Sequence, residues 1–111
     1  MLEQEELTKS YPPLFAEVAL LFQGKSIKTK AMIDTGADWD YVSNRFLVDV
    51  GYPQGDNMLP LIKYPDGSRN PCYGKPVLPL DLTDSVGKSQ RFYVPYYSID
   101  SVNYNIILRR S

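Results

Sequence analysis

At 111 residues, with 43% hydrophobic and 23% charged side chains, the chain is sized for one globular domain with a sizeable core and no room for two. A net charge of -1 with scattered basic residues disfavours a nucleic-acid partner, and the lack of an apolar run of about 18 residues argues against a membrane-spanning helix. The absence of histidine excludes Ser-His and Cys-His nucleophilic pairs and histidine zinc sites, and the one cysteine, Cys72, can form neither an internal disulfide nor a thiolate metal site alone. If the chain is an enzyme without a cofactor, carboxylates are its expected chemistry; no cofactor and no metal are expected.

Residues 1–13 are acidic at first and lack the basic-then-apolar order of a signal peptide. They read as a flexible lead ending in Tyr11-Pro12-Pro13, where each proline biases the residue before it away from helix. Residues 14–22 alternate, with Ala16, Val18, Leu20 and Phe22 on one face and Phe15, Ala19 and Leu21 on the other. Gln23-Gly24-Lys25-Ser26 reads as a hairpin turn, and 27–33 as the return strand, with Lys28 and Lys30 toward water. Further on, 41–43 reads as a short strand. Ser43 or Asn44 then caps a single helical turn through Phe46, Leu47 and Val48, and Gly51 and Pro53 stop it. Residues 58–64 are a strand, Pro65-Asp66-Gly67-Ser68 is a strong turn, and the chain returns through 70–76. Cys72 reads as a small, part-buried residue of that hairpin. Leu78, Leu80 and Leu82 alternate with Pro79 and Asp81, 83–88 is a polar loop, 91–97 a further strand, and 104–108 a last apolar run. Six or seven short strands, turn signals at intervals of about 8–12 residues and almost no helix predict a small all-β barrel or sandwich in a single domain, residues 14–111.

One stretch carries the chemistry: Ala31-Met32-Ile33-Asp34-Thr35-Gly36-Ala37-Asp38. A strand delivers Asp34 from the interior, where an isolated carboxylate is costly. Thr35 adds a hydroxyl at the turn, and Gly36 allows another backbone or a ligand to come close. As a bare tripeptide, Asp-Thr-Gly is equally a strand-end turn with Asp34 bonded to local N–H groups.

The surrounding residues extend the pattern. The loop resembles the active-site loop of retropepsins, the aspartic proteases of retroviruses and LTR retrotransposons, in which apolar residues precede Asp-Thr/Ser-Gly-Ala. Asp66-Gly67-Ser68 and Gly74 stand where that family carries a flap hairpin. Leu82-Thr83-Asp84-Ser85, Phe92-Tyr93-Val94-Pro95 and Tyr104-Asn105-Ile106-Ile107-Leu108 are similar to the closing segments of proteases from gypsy-type retrotransposon polyproteins.

The resemblance spans about residues 14–110 and implies a small closed barrel acting as a homodimer. Each copy would give one catalytic Asp34 to a shared site that cleaves polypeptide, in polyprotein processing and in an intracellular, cytoplasmic setting or retroelement particle. By the same resemblance Thr35 braces the paired loops and Gly36 lets substrate backbone pass. Ala37 and Asp38 contact substrate main chain, Tyr64, Asp66, Gly67 and Ser68 belong to the flap over it, and Asp38 pairs with Arg110.

Two departures are visible. Arg109 stands where the family has glycine, adding bulk and charge and an expected strain in φ. The family's C-terminal helix is expected to be missing after Ser111. A second reading therefore stays open: an inactive or weakly dimeric module of the same fold that binds or builds rather than cleaves, or a retroelement remnant.

Overall fold

The computed structural model describes residues 14–34, 36–53, 59–100 and 103–109. The expected lead, residues 1–13, lies outside them. The first two strands, β1 (Leu14–Phe22) and β2 (Lys25–Asp34), pair antiparallel in unbroken register from Leu14↔Ile33 to Phe22↔Lys25. Their turn is only two residues long. Gln23 and Gly24 both take positive φ, 49° and 75°, the conformation whose twist matches that of the flanking strands. Lys25 and Ser26, expected in the turn, belong to β2.

The chain continues through β3 (Tyr41–Ser43), α1 (Asn44–Val50), β4 (Leu59–Lys63), β5 (Arg69–Cys72), β6 (Val77–Thr83), β7 (Ser89–Pro95), β8 (Tyr97–Ile99) and β9 (Ile106–Arg109). The helix is longer than the single turn expected. Ser43 Oγ accepts the Phe46 N–H at 3.3 Å, and Gly51, at φ 83°, closes the other end with its N–H on Leu47 and Val48 carbonyls. The residues expected as a polar loop after β6 form a tight hairpin turn. Asp84 Oδ1 accepts the N–H groups of Val86 and Lys88, and Gly87 takes φ 87°.

Seven strands form one sheet in the order β7-β6-β1-β2-β9-β3-β8, and β4 and β5 form a separate hairpin. The strand expected over 91–97 is in fact two, β7 and β8, and these lie on opposite rims of the sheet. Only Tyr96 separates them in the chain. Two Cα steps reach at most about 7 Å, so the rims meet at that corner and the sheet must curl. It is a curled half-barrel, mostly strand with little helix. The expected closed barrel is not completed by hydrogen bonds, because β7 and β8 do not pair among the described residues. Pro95 without an N–H and the buried Tyr96, whose own N–H bonds Pro76 O, end the edge strand before such a ladder begins.

Period-two alternation in the central strands builds two cores. Ala31, Ile106 and Val42 share one cross-strand row and belong to the main core with Val18, Leu20, Leu78, Leu80 and Phe46. Met32, Ile107 and Tyr41 form the adjacent row and face the other way. They pack in a smaller cluster with Ala37, Tyr64 and Ile99. Ile62 of β4 packs there too, so the β4–β5 hairpin covers this second face.

Candidate active site

Asp34 is the last residue of β2. It lies in parallel register with Arg109, one row beyond Ile33↔Leu108. Side chains at Met32 and Asp34 share a face by the strand period, so the Asp34 carboxylate emerges on the face covered by the β4–β5 hairpin. The Gly36 N–H donates to Asp34 Oδ1 at 2.8 Å, and the Ala37 N–H reaches Asp34 O at 3.4 Å. A Cβ built on Gly36 would meet Asp34 Oδ1 at 3.5 Å, an ordinary contact. Among the described residues, packing therefore does not demand glycine there.

From Asp34 the chain leaves β2, crosses the end of β9 and comes back on its far side as β3. Ala37 is buried and fastens the crossing to the second core. Asp38 is exposed, and its carboxylate lies 3.3 Å from Lys63 Nζ. The expected partner, Arg110, lies outside the described residues, as does Thr35. Both members of the Lys63–Asp38 pair are more than half exposed, so its own contribution is about 0–1 kcal/mol. Arg109 is not strained: it is extended within β9 and is not among the residues with positive φ. Its N–H donates to Asp40 Oδ1 at 2.7 Å and its Nη1 to Asp38 O at 3.1 Å.

Tyr41 is 1% exposed, and its hydroxyl donates to Lys63 O at 2.9 Å. Burial, with added repulsion from Asp38 and Asp34, pushes its pKa up to about 12. The phenol is thus a neutral donor that ties the hairpin to the loop. A second tie lies at the other end of the hairpin, where Tyr73 N–H bonds Ser98 O at 2.8 Å and Ser98 N–H bonds Gly74 O at 3.0 Å.

The residues expected in a flap sort by position. Tyr64 is buried, donating through its hydroxyl to Pro71 O at 2.6 Å and accepting from Asp100 N–H at 3.2 Å. Burial is the main cause of its raised pKa. Its side chain braces the hairpin from below. Asp66 Oδ1 accepts from Ser68 N–H at 2.9 Å and Ser68 Oγ at 2.6 Å, and these bonds hold its carboxyl below the usual range. Gly67, at φ 88°, completes the turn. Asp66, Gly67 and Ser68 are exposed at the tip. Cys72 is fully buried, its thiol pKa raised by that burial, and Sγ points at Gly74 O at 3.0 Å, as suits a packing residue.

Compared with protein-family models, with curated proteins and with solved structures, the chain matches none of them.

Three residues of the site were not singled out from sequence: Tyr41, Lys63 and Asp40. Tyr41 and Lys63 each sit in a short strand outside any motif, so nothing local marks them. Their part comes from β3 and β4 being brought together. The exposed Trp39, on the same crossing, sets its ring against the edge of Tyr97 at 5.5 Å between centroids. Among the described residues no group of acidic, cysteine and histidine side chains is placed to hold a metal ion.

Proposed function

We propose that the chain is a retropepsin-type aspartic endopeptidase that works as a homodimer. The observation that supports this most directly is the setting of Asp34. A carboxylate ends a central strand, receives the Gly36 N–H, and opens toward a hairpin tied to the same loop through Tyr41 and Lys63. Each chain has one Asp-Thr-Gly, and acid–base hydrolysis of a peptide needs two carboxylates, so a second copy brings the other.

In the dimer the two Asp34 groups share one proton, because two such charges a few ångströms apart do not both persist. The ionised Asp34 removes a proton from water, and the water oxygen bonds to the scissile carbonyl carbon. The protonated Asp34 donates to the carbonyl oxygen as it gains charge. When the tetrahedral intermediate collapses, the C–N bond breaks and the proton passes to the leaving amine. The carboxylate pair is then restored. The exposed turn, Asp66 to Ser68, covers the bound polypeptide on a hairpin held beside that turn at Tyr41 and at its open end at Ser98.

The test is sedimentation at several concentrations combined with cleavage of an unstructured polypeptide at mildly acidic pH (about 5). A concentration-dependent dimer that cleaves is expected. A monomer throughout, with no cleavage, would instead favour the binding-module reading.

Gly36 offers a sharper check. Because the subunit itself accommodates a Cβ there, Gly36→Ala is expected to leave stability unchanged or to raise it by up to about 1 kcal/mol. Cleavage is expected to fall by about tenfold or more, since the methyl group would meet whatever approaches from outside. Equal activity in the two proteins would mean that nothing comes close to Gly36.

A further inference from the structure

We infer that Arg109 is a positioning residue for the Asp34 loop, a clasp that holds the crossing from inside. The inference rests on the proposed hydrolytic role for its consequence in catalysis, and on geometry alone for its mechanical part.

Three observations combine. First, β9 ends in register with Asp34, so Arg109 stands where the chain must leave β2 and pass over to β3. Second, Arg109 bonds the crossing at two points: its N–H to the Asp40 carboxylate at 2.7 Å and its guanidinium to the Asp38 carbonyl at 3.1 Å. Third, the outer side of the same residue is held by Lys63, whose ammonium meets the Asp38 carboxylate. Asp38 is thus gripped through its main chain from β9 and through its side chain from β4. A glycine at position 109 would keep the N–H bond to Asp40 and lose the guanidinium bond to Asp38. The side chain therefore adds the second point of attachment, and two points fix an orientation where one permits rotation. Both bonds have an ionised partner, which makes them the stronger kind.

The consequence reaches Asp34 through the backbone. The Gly36 and Ala37 N–H groups that bond Asp34 lie between it and the clasped residues. Loosening residues 38–40 lets these donors wander and the carboxylate turn away from its partner. Substrate affinity depends on many other contacts, so the loss is expected in turnover rather than in binding.

The experiment compares Arg109→Ala and Arg109→Lys with the parent chain by backbone amide order parameters, and by kcat and KM on an unstructured polypeptide. In Arg109→Ala the order parameters of Gly36 to Asp40 are expected to drop while those of the Asp84 to Lys88 turn stay fixed. Turnover is expected to fall about tenfold, with KM changed less than about twofold. Lysine supplies one donor to the Asp38 carbonyl and should recover much of both. Adding Asp40→Ala should make the two losses non-additive, since both residues serve one clasp. Unchanged order in Arg109→Ala overturns the inference, as does undiminished turnover. If the parent chain does not cleave at all, the hydrolytic reading fails, and the order parameters still decide the role of Arg109.

Discussion

Asp34→Asn is expected to remove peptide cleavage by at least about 10³-fold while leaving the fold intact. The two halves of this expectation have separate grounds. An amide neither takes a proton from water nor passes one to a leaving amine, and in a homodimer the substitution strikes both members of the pair at once. The fold is spared because the described hydrogen bond at this side chain comes from the Gly36 N–H, which an amide oxygen accepts equally well. Asp34 also sits at the end of its strand, outside both hydrophobic clusters. Circular dichroism and thermal unfolding should therefore match the parent chain while cleavage of an unstructured polypeptide is lost. Hydrolysis persisting at the parental rate would remove Asp34 from the chemistry and with it the proposed function.

Ile106→Ala is expected to be strongly damaging to the core, costing about 2–5 kcal/mol. That corresponds to a melting temperature lower by on the order of 10–20 °C. Ile106 is fully buried and lies between Ala31 and Val42 in the row shared by β2, β9 and β3. One of its flanking side chains is already a methyl group and the other is β-branched, so neither can swing in to fill the void. Val86→Ala, at a turn where the side chain is 77% exposed, serves as control and should stay within about 0.5 kcal/mol. Thermal unfolding followed by circular dichroism reads both. A melting temperature for Ile106→Ala within a few degrees of the control would mean that β9 does not occupy the centre of the sheet.

Much of the strand content was legible because it is local. The alternation in 14–22 and at Leu78, Leu80 and Leu82 needs no knowledge of neighbours, and β1 and β6 lie there. The helix signal at Ser43 and Gly51 was equally local, and only its length was underread. The split of 91–97 into β7 and β8 was hidden, because the aromatic and β-branched residues around Pro95 read as one strand, a proline is tolerated on an edge, and the burial of Tyr96 completes the break. At the site, Asp34, Gly36 and Asp38 were visible because they are consecutive in the chain. Lys63 was not, since its partner is 25 residues away and the meeting depends on how the hairpin lies over the second cluster. Tyr64 was expected to line the site, and the structure buries it instead: whether such a side chain points outward or into packing is not encoded by its neighbours in sequence. Arg109 shows the same limit in reverse: an arginine where the resembled family carries glycine suggested strain, and the residue lies unstrained in an extended strand.

The place of β9 between β2 and β3 bears on how the chain acquires its structure. Residues 106–109 occupy the middle of the sheet although they follow their β2 partners by about 75 positions in the chain. Until they arrive, β2 and β3 flank a gap, and neither hydrophobic cluster has its central row. The β1–β2 and β6–β7 hairpins can form early from local contacts, but the half-barrel waits for a pairing between positions about 75 residues apart. Folding is thus expected to wait until β9 has been made, and the Asp34 loop to take shape late, when Arg109 comes into register beside it.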